Sequence, residues 1–68
     1  MSVAKIIEIK ATSKKSFEDA IRQGIERTAR TVDNIRSAWI KEQEVKVNEK
    51  GEIEEYRVLL KITFVVHD

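Results

Sequence analysis

Apolar residues occupy every second position from Tyr56 through Val58, Leu60, Ile62 and Phe64 to Val66. That unbroken period of two predicts a strand over Ile53 to Val66 with one face turned to the core. The opposite face carries Arg57, Leu59, Lys61, Thr63, Val65 and His67 and is mixed. Upstream, Ile35 to Val47 reads as a second long strand, and Asn48-Glu49-Lys50-Gly51 as the turn of a hairpin, with Gly51 supplying a left-handed residue. Near the start, Ala4 to Ala11 is a third strand, with Ile7, Ile9 and Ala11 on its core face.

Between Thr12 and Asn34 the period changes. Phe17, Ala20, Ile21, Gly24, Ile25, Thr28 and Val32 recur at the three-to-four spacing of a helix with one buried stripe. Thr12, Ser13 and Ser16 are candidate N-caps, and Glu18 and Asp19 suit the positive end of the helix. Gly24 lies inside the stripe, where its expected purpose is close approach of helix to sheet. Asp33-Asn34 is expected to end the helix with turn chemistry.

These elements impose a topology. A strand, a returning helix and a second strand run the two strands parallel, and the hairpin reverses the third. The sheet is antiparallel throughout only if the last strand is central, in the order 1-3-2. The predicted class is therefore α+β: a β-α-β-β unit with a three-stranded antiparallel sheet curled around one helix. The helix covers one face. The other, holding Trp39, Val45, Leu59 and Val65, is expected to have no partner within the chain.

Composition sharpens this picture. The 68 residues form a single domain over 1–68, too short to bury more than ~60% of their unfolded surface. With no cysteine and one histidine, neither disulfides nor a thiolate or multi-histidine metal site can reinforce it, which leaves oligomerisation. The balance of 13 basic against 12 acidic residues, interleaved, is no nucleic-acid footprint. No apolar run approaches the ~20 residues of a membrane span, and the start of the chain has no long apolar leader, so a cytoplasmic setting is expected.

The run Ala11-Thr12-Ser13 through Ser16-Phe17, then Thr31-Val32-Asp33-Asn34-Ile35, in a β-α-β-β chain of this length, resembles the dodecins. The resemblance spans nearly the whole chain. It implies twelve copies closed into a hollow sphere, a homododecamer whose subunit contacts bind flavins (FMN or riboflavin) as stacked pairs, with coenzyme A bound in some members. It implies storage or buffering and no catalytic reaction. Flavin-binding dodecins place a stacking Trp on the second strand, and counting from Asp33-Asn34 that position is Ser37 here, with Trp39 two residues on. They place a Gln after an aromatic on the third strand, and here Tyr56 is followed by Arg57. The chain looks more like the dodecin subgroup without that Trp and Gln, of which a member binds calcium.

Ser37, Trp39 and Arg57 are thus the candidate ligand-binding residues. Each also has an ordinary reading. Trp39 would equally anchor a subunit contact, and Arg57 would pair with Glu42 or Glu44. Glu42 and Glu44 share a face; repeated about a threefold axis they would form a ring able to hold a hard cation, Ca²⁺ or Mg²⁺, and otherwise they are a solvated face. His67, one residue from the end, is read as a terminal side chain without a site role. No nucleophile, base or phosphate-cradling glycine loop is spaced for an enzyme. The reading is a homo-oligomeric shell that binds or sequesters a small ligand or ion. The alternative is a purely structural assembly or interaction module.

Overall fold

The computed structural model describes residues 3–66, so His67 lies outside the described residues. Strand β1 (Val3–Ser13) leads to helix α1 (Phe17–Ala29), then to strands β2 (Ile35–Val47) and β3 (Ile53–Val66). Strand β3 is central, the order is β1-β3-β2, and both pairings are antiparallel. The expected class and strand order hold, and the central strand is the most buried, because only there are both edges paired and one face covered.

The core is small. Val58, Leu60 and Ile62 of β3 and Ala20 of α1 are buried, with Ile7, Ile9, Ala11, Phe17, Ile21 and Ile25 packed around them. The phase of the β1 stripe is as expected: Ile7, Ile9 and Ala11 lie opposite Ile62, Leu60 and Val58. Phe17 meets Tyr56 edge-on, ring centroids 5.1 Å apart.

Helix α1 starts at Ser16, whose hydroxyl accepts from the Asp19 amide at 2.9 Å. It stops earlier than the stripe implied. Ala29 is its last residue, and the Thr31 and Val32 amides fold back onto the Thr28 carbonyl at 3.1 and 3.0 Å. Val32 therefore lies in the connection, not in the helix. Asn34, at a positive φ of 62°, turns the chain into β2. In the hairpin the Asn48 carboxamide accepts from the Lys50 and Glu52 amides, and Gly51 takes the left-handed conformation at φ 81°.

A second expectation fails. Counted by alternation, Val45 shares the outer face with Trp39, but β2 carries register shifts between Ile35 and Ser37, between Ile40 and Glu42, and between Lys46 and Val47. The shift at Ile40/Glu42 is an extra residue in β2 that reverses the alternation beyond it. Val45 consequently lies opposite Tyr56 on the helix side, while Glu42 and Glu44 come round to the outer face opposite Leu59 and Arg57.

Candidate functional site

The outer face of the sheet carries the candidate residues, and the register divides them into two groups. Ser37 lies opposite Thr63 and Trp39 opposite Lys61, toward the start of β2. Glu42 and Glu44 lie opposite Leu59 and Arg57, toward the hairpin. Arg57 and Thr63 are six residues apart on β3, so Ser37 and Arg57 are separated by about 20 Å at ~3.3 Å per residue. Ser37 and Arg57, the two positions that the resemblance ties to one flavin, do not meet within a single chain.

At the Ser37 end, Trp39 is 63% exposed although it is the only tryptophan. Lys61 holds its ammonium 5.5 Å from the indole centroid, a cation–π arrangement across the strand pair. Across β3 from Trp39, Glu8 of β1 lies opposite Lys61 and takes a 3.8 Å ion pair from Lys41, the residue at the β2 irregularity. Ile6, also 63% exposed, continues the apolar part of this face.

At the other end, Arg57 forms the centre of an open groove of about 280 Å³ lined by Lys10, Thr12, Glu42, Glu44, Glu55 and Leu59 among others. Its guanidinium donates to Glu55 Oε1 from Nε at 2.9 Å and lies 2.7 Å from the same oxygen through Nη2. Glu44 stands 3.9 Å from Nη1. The ordinary reading of Arg57 as an ion-pair partner thus describes its contacts, with Glu44 as anticipated and Glu55 closer. Glu55 is a site residue that sequence pattern could have shown, since its place two residues before Arg57 on a strand puts both on one face. Carboxylate oxygens are the donor class of a hard cation. Among the described residues, however, no three ligand-type side chains converge on a metal position within one chain.

A third cluster joins β1 to α1. The buried Ser13 hydroxyl donates to Asp19 Oδ2 at 2.6 Å and accepts from the Lys15 amide at 2.9 Å. The Gln23 carboxamide donates to the same Asp19 oxygen at 2.6 Å. The Ser13 hydrogen bond, above all, holds the Asp19 carboxyl below its ordinary value; partial burial opposes this, and Gln23, Lys15 and Arg22 reinforce it. Ser16 and Asp19 have the spacing of a capping box. Only the Ser16 half is used for capping, while the Asp19 carboxylate ties the helix back to the strand.

Comparison with known proteins places this geometry. The family model described as Dodecin matches residues 3–67. The calcium dodecin of Mycobacterium tuberculosis is 41% identical over 64 residues, which cover 94% of this chain and 89% of that protein. A crystal structure from the same organism, of a calcium dodecin described as calcium chelating with a novel calcium-binding site, is similar at a TM-score of 0.82 and 37% identity, covering 96% of this chain and 91% of that one. A crystallised variant of the Thermus thermophilus dodecin is similar at a TM-score of 0.92 and 28% identity over the whole of both chains. The dodecin from Streptomyces davaonensis is similar at 0.91 and 27%, covering 98% and 97%.

Proposed function

The chain belongs to the dodecin family, and from that premise we propose that it assembles into a homododecameric hollow shell whose subunit contacts bind and sequester a divalent cation, calcium foremost. The observation that carries this reading is the outer sheet face. It exposes Trp39 and Ile6 at one end and gathers Glu42, Glu44 and Glu55 at the other, in a chain whose core holds only four buried apolar side chains among the described residues. An exposed apolar patch on so small a domain supports burial against other copies. The carboxylates supply hard oxygen donors, and the 41% identity to a protein named calcium dodecin favours calcium among hard cations.

One chain does not supply enough ligands. Calcium takes about 6–8 oxygens, and Arg57 already neutralises part of the acidic cluster. The cation is therefore assigned to a contact where carboxylates of several copies are brought together by symmetry. A flavin or coenzyme A role is less well supported by this face. Ser37 offers no ring to stack on, Lys61 lies over the one indole present, and Arg57 is held by Glu55. The role proposed is binding, not catalysis.

Native mass spectrometry of chelator-treated protein, with calcium then titrated calorimetrically, tests this. A mass of twelve subunits and saturable calcium uptake are expected. A folded monomer at low micromolar concentration would overturn the shell. An intact shell without saturable uptake would overturn the cation role and leave a structural assembly.

A further inference from the structure

We propose that the free edge of β1 is a docking strand for β1 of a second copy, paired antiparallel about a two-fold axis through Ile9. This names a strand and a register, and it holds whatever the shell contains. The two edges of the sheet differ. Strand β2 is interrupted by two extra residues, between Ile35 and Ser37 and between Ile40 and Glu42, the means by which edges are commonly blunted against pairing. Strand β1 pairs with β3 without a break from Val3 to Ser13, and its other edge has no neighbour in the sheet. An unbroken edge of eleven residues presents a regular row of backbone donors and acceptors.

Charge selects the register. A two-fold axis perpendicular to the sheet keeps outer residues on the outer face, so only residues of like phase can lie opposite one another. Centred on Ile9, the pairing sets Glu8 of each copy opposite Lys10 of the other, Ile6 opposite Thr12, and Ile7 opposite Ala11. Centred on Glu8 or Lys10 it would instead set like charges face to face, which destabilises a strand pair. Centred on Ile7, it leaves both Glu8 and Lys10 opposite uncharged residues. The Ile9 register yields one six-stranded sheet. The second copy would also close the open groove beside this edge, floored by Ile9 and Ala11 and walled by Gln23, Gly24 and Arg27 of α1.

The absence of cysteine makes the test clean. Full-length Glu8→Cys and Lys10→Cys chains, co-expressed with different tags and mildly oxidised, should form a mixed disulfide, because opposed residues lie within disulfide reach. Either variant alone should stay uncrosslinked. Should one of these fail to fold, Ile6→Cys with Thr12→Cys tests the same register at two exposed positions. A mixed disulfide found only in the paired sample establishes the contact. Its absence while sedimentation shows the wild-type assembly, or crosslinking of Glu8→Cys with itself, overturns it. A crosslinked pair without any larger assembly would uphold this contact and overturn the shell instead.

Discussion

A methyl group added at Gly24 would stand 3.0 Å from Cβ of Ala11 and 3.3 Å from Cδ1 of Ile9. Helix α1 lies as close to β1 as it does because that methyl is missing. In Gly24→Ala the gain in helix propensity, about 1 kcal/mol, opposes an overpacking cost of about 1–3 kcal/mol. Net destabilisation of about 1 kcal/mol is expected in urea unfolding, with recovery in Gly24→Ala/Ala11→Gly. A single variant as stable as the parent would mean that the helix can shift outward without loss.

Asp19 gives the fold a dependence on acid. Its carboxyl is held below the ordinary carboxylate value in the folded chain by the Ser13 and Gln23 hydrogen bonds. A depressed value favours the folded state where the carboxylate is ionised in both states, above the unfolded value of about 3.9. That contribution is lost as pH falls through the lower folded value. Ser13→Ala removes the strongest of these bonds, so the variant should lose less stability than the parent as pH is taken below about 4. Chemical unfolding at a series of pH values checks this; parallel curves for the two proteins would sink the assignment.

How far this molecule is legible from its sequence follows from which features are local. The alternation from Tyr56 to Val66 and the Asn48–Gly51 turn depend on residues close in the chain, and the structure has them where the pattern puts them. Simple alternation misplaces Val45 because an extra residue in β2 belongs to the pairing with β3, not to β2 alone. Val32 continued the helical spacing, yet nothing in its own side chain records that the backbone tightens after Thr28. The separation of Ser37 from Arg57 was hidden for the same reason as Val45. Each residue's face can be counted locally, but its distance from a residue on another strand needs the register.

Trp39 should report assembly directly, since it is the only tryptophan and is 63% exposed in the isolated subunit. In a shell it is expected to be covered, so its emission should be blue-shifted and resist acrylamide, and should redden when the assembly is diluted or dissociated. Emission typical of exposed indole from a particle of twelve subunits would remove Trp39 from the subunit contacts.

Arg57 sets the charge of its groove. In Arg57→Gln, Glu44 and Glu55 lose their shared cation, and calcium should bind roughly three- to tenfold more tightly if these carboxylates belong to the site. The interaction is partly exposed, so the gain should shrink with added salt. Calorimetric titration in low and moderate salt distinguishes the outcomes. Weaker binding would show that Arg57 orders the carboxylates instead of competing for them.

The distance between Ser37 and Arg57 bears on riboflavin binding. Ser37→Trp restores a stacking surface, and base-type stacking on an aromatic is worth about 1–3 kcal/mol, or roughly one to two decades in riboflavin affinity. Arg57→Gln alone should add little. Within one chain the two positions are about 20 Å apart along the sheet, too far to touch one ring, and variants at such a distance normally act additively. If they meet across a subunit contact, the double variant should exceed the product of the single gains, because one flavin would then stack on the new indole and bond the new carboxamide. Trp39, with Lys61 against its ring, occupies the same face as Ser37, so Trp39→Glu should enlarge the effect. Quenching of riboflavin fluorescence measures all four proteins. A double variant that gains no more than the product, in an intact assembly, would show that these two positions never serve a common ligand in this shell.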